Sequence, residues 1–162
     1  MIFNINIKIY FFLLIIIFSP TLYAYEYQAE VIKVIDGDTI WVKKGYNKYK
    51  VRLLYIDAPE LDQENGYESK KFLESIVANK IIIINTEQND RYKRQLAELY
   101  IYENQSPIFV NAKMIKSGNA WVYKENRNNN YLLNLENHAR TNKLGLWSGS
   151  LHIEPWIFRK NK

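Results

Sequence analysis

Hydrophobic periodicity along the chain predicts an α+β domain in the order three strands, helix, two strands, two helices. Three observations carry this expectation. Five apolar or alternating segments rich in Ile, Val and Tyr read as strands, each bounded by Gly, Asn, Asp or Pro. Three later stretches switch to a helical period. There is no internal repeat, low-complexity tract or long linker to suggest a second unit.

In chain order, YQAEVIKVI is the first strand, and Asp36-Gly37 makes a turn or bulge into the second, DTIWVKK. GYN connects this to the third, YKVRLLYI, and LDQENG follows as a polar loop. From Tyr67, the residues Phe72, Leu73, Ile76 and Val77 fall on one helical face. KIIIINTE is a buried strand, QNDRYKR a polar turn, LAELYIYE the fifth strand and ENQSP the next turn. Ile108, Phe109, Ala112 and Ile115 then form a helical stripe ending at Gly118, a natural C-cap. Leu132, Leu135 and Ala139 form another, with Arg140 and Lys143 in its last turn and Gly145 beyond. Five strands with helices inserted and appended suggest a small OB-fold-like β-barrel carrying three helices.

Residues 1–24 stand apart from this pattern. A weakly basic start with Lys8, a wholly apolar run from Ile9 to Phe18 and a small residue at Ala24 have the layout of a signal peptide. The run is too short for the roughly 20 apolar residues that a membrane span requires. The expectation is therefore an exported single domain over residues 25–162, periplasmic or secreted, monomeric, with no stable membrane association after cleavage. Removing Lys8 lowers the net charge from +5 to +4, which permits a polyanionic partner without demonstrating one. The chain has no Cys, so disulfides, thiol catalysis and thiolate metal sites are excluded. His138 and His152 are its only histidines, which leaves little room for an imidazole-rich metal site.

The segment VRLLYIDAPE poses the chemical question. Arg52 lies inside an apolar strand, where a guanidinium is costly unless paired or functional. Asp57 and Glu60 stand at the strand's exit, next to Pro59, which cannot continue a central strand. Asp36 and Asp38, two apart, point to the same face in extended chain. Arg94 lies in the turn DRYKR before the fifth strand, where an exposed turn cation is the ordinary reading. Strict alternation would place Arg52 and Asp57 on opposite faces, so their convergence needs a bend before Pro59.

Acids and arginines gathered in one cleft suit phosphodiester hydrolysis. Aspartate oxygens hold a hard divalent cation, calcium or magnesium, and planar Arg forks grip phosphate. Both stabilise the charge that builds in the transition state, while a free carboxylate such as Glu60 activates water. Two other classes stand beside this one: a non-catalytic OB-fold module that binds nucleic acid, and an exported structural domain whose charges are merely solvated.

Taken together, VIDGDTI, VRLLYIDAPE, DRYKRQLA and HARTNKLGLWS resemble the staphylococcal-nuclease-like (thermonuclease) family, in order and across most of residues 25–162. The tail EPWIFRKNK is similar to the Pro-Trp basic ending of many exported members. The resemblance implies Ca2+-dependent cleavage of DNA and RNA that leaves 3′-phosphate ends. It implies metal ligation by Asp38, Asp57 and the Ala58 carbonyl, with Asp36 in support. It implies Glu60 as general base, Arg52 and Arg94 as phosphate-gripping cations, and Tyr92 and Arg91 on the substrate side. Tyr123 and Trp121 are candidates for stacking on the nucleotide, with core packing expected of Trp121, Trp147 and Trp156. The chain departs from the family in having Lys93 where Gly commonly precedes the second arginine, Ala58 for a commoner Thr, and a short loop after Glu60.

Overall fold

Alternating burial builds a closed barrel. In the computed structural model, which describes residues 25–162, strand β1 (Tyr25–Val34) buries Tyr27, Ala29 and Val31. A bulge between Val31 and Lys33 then shifts the phase, so that Val34 is also buried. Strands β2 (Thr39–Lys44) and β3 (Asn47–Leu53) continue as antiparallel neighbours, and β5 (Ile81–Asn89) and β6 (Gln95–Glu103) form a hairpin on the other side of β1. The strand order is β3-β2-β1-β5-β6, and a parallel pairing of β3 with β6 closes the ring. Ile40, Val42, Val51, Leu53, Ile82, Ile84, Ala97 and Leu99 fill the interior. This is the expected α+β barrel. The leader expected at residues 1–24 lies outside the described residues.

The third predicted strand is in fact two. β3 ends at Leu53, Leu54 and Tyr55 turn, and β4 (Ile56–Asp57) leaves the barrel to pair with β8 (Trp121–Val122) in a separate ribbon. Tyr55 makes the corner by adopting φ 69°, in the left-handed region that disfavours most side chains. The corner is fastened on several sides. Leu54 N–H donates to the Ala97 carbonyl at 2.9 Å, and Tyr123 N–H donates to the Tyr55 carbonyl at 2.8 Å. Asn111, fully buried, donates from Nδ2 to the Leu54 and Ala97 carbonyls at 2.9 and 3.1 Å. Its Oδ1 accepts from Leu99 N–H at 3.0 Å. One side chain thus ties a helix to both β6 and the corner.

Helix α1 (Gly66–Val77) follows the expected stripe, burying Leu73, Ile76 and Val77. The expected second helix starts later than its pattern suggested. Ile108 and Phe109 belong to a short strand β7 (Ser106–Phe109) on the edge of β6, and α2 runs Val110–Lys116. Helix α3 (Asn130–Thr141) is N-capped by the Asn129 side chain, which accepts from Leu132 N–H at 3.2 Å. A fourth helix, α4 (Pro155–Lys160), was not expected: Pro155 opens it from N1, where the missing N–H costs nothing. Trp156 of α4 packs at 6.2 Å from Trp121, which in turn meets Trp147 edge-on at 4.3 Å. These tryptophans and Leu146 make a second, smaller core under the helical flank.

Candidate active site

Ten of the residues singled out from the sequence line one open cleft of about 1010 Å3: Asp36, Asp38, Arg52, Asp57, Ala58, Glu60, Arg91, Tyr92, Arg94 and Tyr123. Two glycine contacts explain how the acid-bearing loops come so close. A Cβ on Gly37 would lie 2.0 Å from Ser69 Oγ and 2.6 Å from the Ala58 side chain. A Cβ on Gly66 would lie 1.8 Å from the Glu60 carbonyl oxygen.

At the centre, Arg52 Nη2 bridges two acids, 3.0 Å from Asp38 Oδ2 and 2.8 Å from Asp57 Oδ1. Arg52 Nη1 donates to the Leu53 carbonyl at 2.8 Å, which fixes the fork. Asp38 Oδ1 accepts the Thr39 hydroxyl at 3.0 Å, and Oδ2 accepts Ala58 N–H at 2.8 Å. Asp36 takes the supporting position by accepting Asp38 N–H at 3.0 Å. The bend at Tyr55 is what brings Arg52 and Asp57 to one side.

Burial, followed by the negative charge of Asp38, pushes the Asp36 carboxyl up to about 7. Burial also raises Asp57, against the hydrogen bonds of Arg159, with Asp38 adding to the rise and Arg52 opposing it.

Arg94 stands on the far wall. Its Nε and Nη2 both reach Asp90 Oδ2 at 2.7 Å, and Asp90 Oδ1 accepts the N–H groups of Tyr92 and Arg94 at 2.9 Å. Asp90 thereby shapes the DRYKR turn, with Lys93 at φ 60° where Gly would be unstrained. Arg91 and Arg94 flank the exposed Tyr92 ring, at 4.8 and 5.5 Å from its centre. Trp121 is buried and packs; Tyr123 stays at the cleft.

Arg159 of α4, which was not among the residues singled out from the sequence, completes the cleft. Its Nη2 lies 2.6 Å from Asp57 Oδ2, and its Nη1 lies 2.7 Å from Glu60 Oε1 and 3.3 Å from Asp57 Oδ1. Burial alone would ease its proton off, but the hydrogen bonds it donates to Asp57 and Glu60 outweigh that and hold the guanidinium more firmly charged. The only signals in the sequence were a Pro at N1 and a cation three residues after Trp156.

Among the described residues, no three Asp, Glu or His side chains converge as a ready-made metal cage. The donor chemistry nonetheless fits a hard cation. Asp38 and Asp57 lie close enough for the single Arg52 nitrogen to bridge them, and all available donors are oxygen.

A small barrel that presents buried acids and guanidinium forks together in an open cleft defines a phosphodiester hydrolase on an OB-type scaffold. Comparison with known proteins agrees. A family model described as Staphylococcal nuclease homologue matches residues 50–149. A protein of Escherichia coli O157:H7 named "Uncharacterized endonuclease" is 37% identical over 150 residues, covering 93% of this chain and 96% of its own length. A protein of the same name from Haemophilus influenzae is 38% identical, over 82% of this chain and 72% of its own. A "Micrococcal nuclease" of Shigella flexneri is 32% identical, over 83% of this chain and 82% of its own. The chain belongs to the staphylococcal nuclease family and is a nuclease.

Proposed function

We propose that the protein is an exported, Ca2+-dependent nuclease that cleaves DNA and RNA with little sequence preference and leaves 3′-phosphate ends. The observation that carries this reading is the Arg52 bridge between Asp38 and Asp57, with Glu60 beside it in an open cleft. Asp38, Asp57 and the Ala58 carbonyl would hold the calcium ion, which would supply positive charge to stabilise the charge that develops on the phosphate.

The chain's own groups do the rest. Glu60 accepts a proton as a water oxygen bonds to phosphorus. The P–O5′ bond breaks, and the departing 5′ oxygen takes a proton from solvent while Glu60 returns its own to solvent, giving a 5′-hydroxyl and a 3′-phosphate. Arg52 and Arg94 donate to the phosphate oxygens, where their forks match the transition state better than the ground state. Arg94 must exchange its Asp90 partner for phosphate to do so. Arg91 and Tyr92 on the same turn offer charge and a flat ring to the flanking nucleotide. Contact is chiefly with the backbone, and binding weakens as salt rises.

The test is digestion of single-stranded DNA with calcium against excess chelator, with analysis of the product ends. Calcium-dependent cleavage to 3′-phosphates supports the reading. Binding without cleavage in both conditions would point instead to a non-catalytic nucleic-acid-binding module. Export is tested separately, by the N-terminal residue and mass of the protein recovered from periplasm and medium; the expected mature chain begins at Tyr25.

A further inference from the structure

Glu60 is the proposed base, yet its side chain is 37% exposed, and nothing on its own loop holds the carboxylate. A glutamate at such a site samples several rotamers, few of which face the attacking water. The element that does hold it comes from the far end of the chain. Arg159 extends one nitrogen to Glu60 at 2.7 Å and the other to Asp57 at 2.6 Å, spanning 99 and 102 residues of sequence.

The tail that delivers Arg159 is itself anchored. Pro155 is buried, and Trp156 packs on Trp121. Gln63, almost fully buried, donates from Nε2 to the Ile153 carbonyl at 2.7 Å, while its Oε1 accepts Glu60 N–H at 3.2 Å. Lys162 pairs with Asp62 on the same loop. The loop that carries Glu60 is therefore clamped to the tail through both backbone and side chain.

From this geometry we propose that Arg159 is a positioning residue of the active site, setting the Glu60 carboxylate beside Asp57 and toward the attacking water. A guanidinium fork suits the task. Two acids this close repel each other, and a planar fork holds both at fixed spacing where the single point charge of a lysine cannot. Arg159 acts through Glu60 and not on the phosphate. The inference rests on the nuclease reading and assigns that site a part supplied by the tail.

The test is a double-mutant cycle of Arg159→Gln and Glu60→Gln, with Arg159→Lys as a third variant. Each is assayed for kcat and KM on single-stranded DNA with calcium, and for melting temperature in excess chelator. Arg159→Gln is expected to lower kcat about 10- to 100-fold with KM unchanged, as loss of an outer-shell partner does. Arg159→Lys should recover part of the loss. In the Glu60→Gln background, Arg159→Gln should cost no further kcat, and its effect on melting in chelator should shrink. An unchanged kcat in Arg159→Gln, or kcat losses that multiply in the double variant, overturns the proposal, even where melting still reports the contact. An inactive parent chain overturns the nuclease reading and this proposal with it, and the melting cycle then shows whether the contact is purely structural.

Discussion

The Arg52 guanidinium lies 2.8 Å from the Asp57 carboxylate, although the two residues stand five apart in a segment whose side chains should alternate between faces. The contact exists because the segment is not one strand. Tyr55 turns the chain at φ 69°, and β4 emerges in a different sheet. The corner is where fold and chemistry meet, and it is the most sensitive place to perturb.

Tyr55→Val tests the corner directly. A β-branched residue resists positive φ, so the substitution should cost about 1–3 kcal/mol of stability. It should also reduce cleavage at temperatures where the chain is still folded, because Asp57 loses its register with Arg52. Urea unfolding measures the first effect, and kcat at low temperature the second. Wild-type kcat in a destabilised variant would separate the corner from the chemistry.

Asn111→Ala removes three hydrogen bonds at once and leaves Leu99 N–H and the Leu54 carbonyl without this partner, while the Ala97 carbonyl keeps Leu54 N–H. With buried orphans at about 1–3 kcal/mol each, the chain should lose at least about 2 kcal/mol of its stability. The readout is the denaturant midpoint at unchanged slope.

Lys93→Gly should act in the opposite direction. Lys93 holds φ 60° in the DRYKR turn, a conformation that costs an L-residue about 1–2 kcal/mol. Glycine removes that strain but adds freedom to the unfolded chain, so the net gain should be below about 1 kcal/mol. Chemical denaturation gives the sign, and a loss of stability would mean that the Lys93 side chain makes contacts worth more than the strain.

Glu60→Gln and Arg94→Ala should abolish most cleavage while leaving the fold intact, since neither group lies in the core. Loss of a base is expected to cost about 10²–10⁴-fold, and loss of a charge-stabilising donor about 10²–10³-fold in kcat. Circular dichroism and melting establish that the fold survives. Full cleavage in both variants would mean that Glu60 and Arg94 take no part in the chemistry.

The strands were legible because each buries alternate residues between clear turn signals, as in β1 and β6. The ring closure was not, because Val51 meets Gln95 in a parallel pairing that leaves no local mark on either segment. Ile108 and Phe109 fitted a helical stripe as well as a strand edge, and pairing with Tyr100 and Ile101 decided for the strand. Arg52 and the cleft's acids were legible as a set, since a guanidinium inside an apolar strand demands a partner, whereas Arg94 read alone as a turn cation and joined them only through the family resemblance. Arg159 carries no such conflict. It sits in a basic, aromatic tail, and only the folded chain brings it to Asp57 and Glu60.

That late position matters for biosynthesis. A chain still emerging from the ribosome, or one clipped before residue 159, displays Asp57 and Glu60 without the cation that joins them. Truncated translation products should therefore be poor nucleases even when their barrels have closed. A tag fused after Lys162 would sit next to the Lys162–Asp62 pair, on the loop that carries Glu60, and ought to be placed elsewhere in any preparation meant for kinetics.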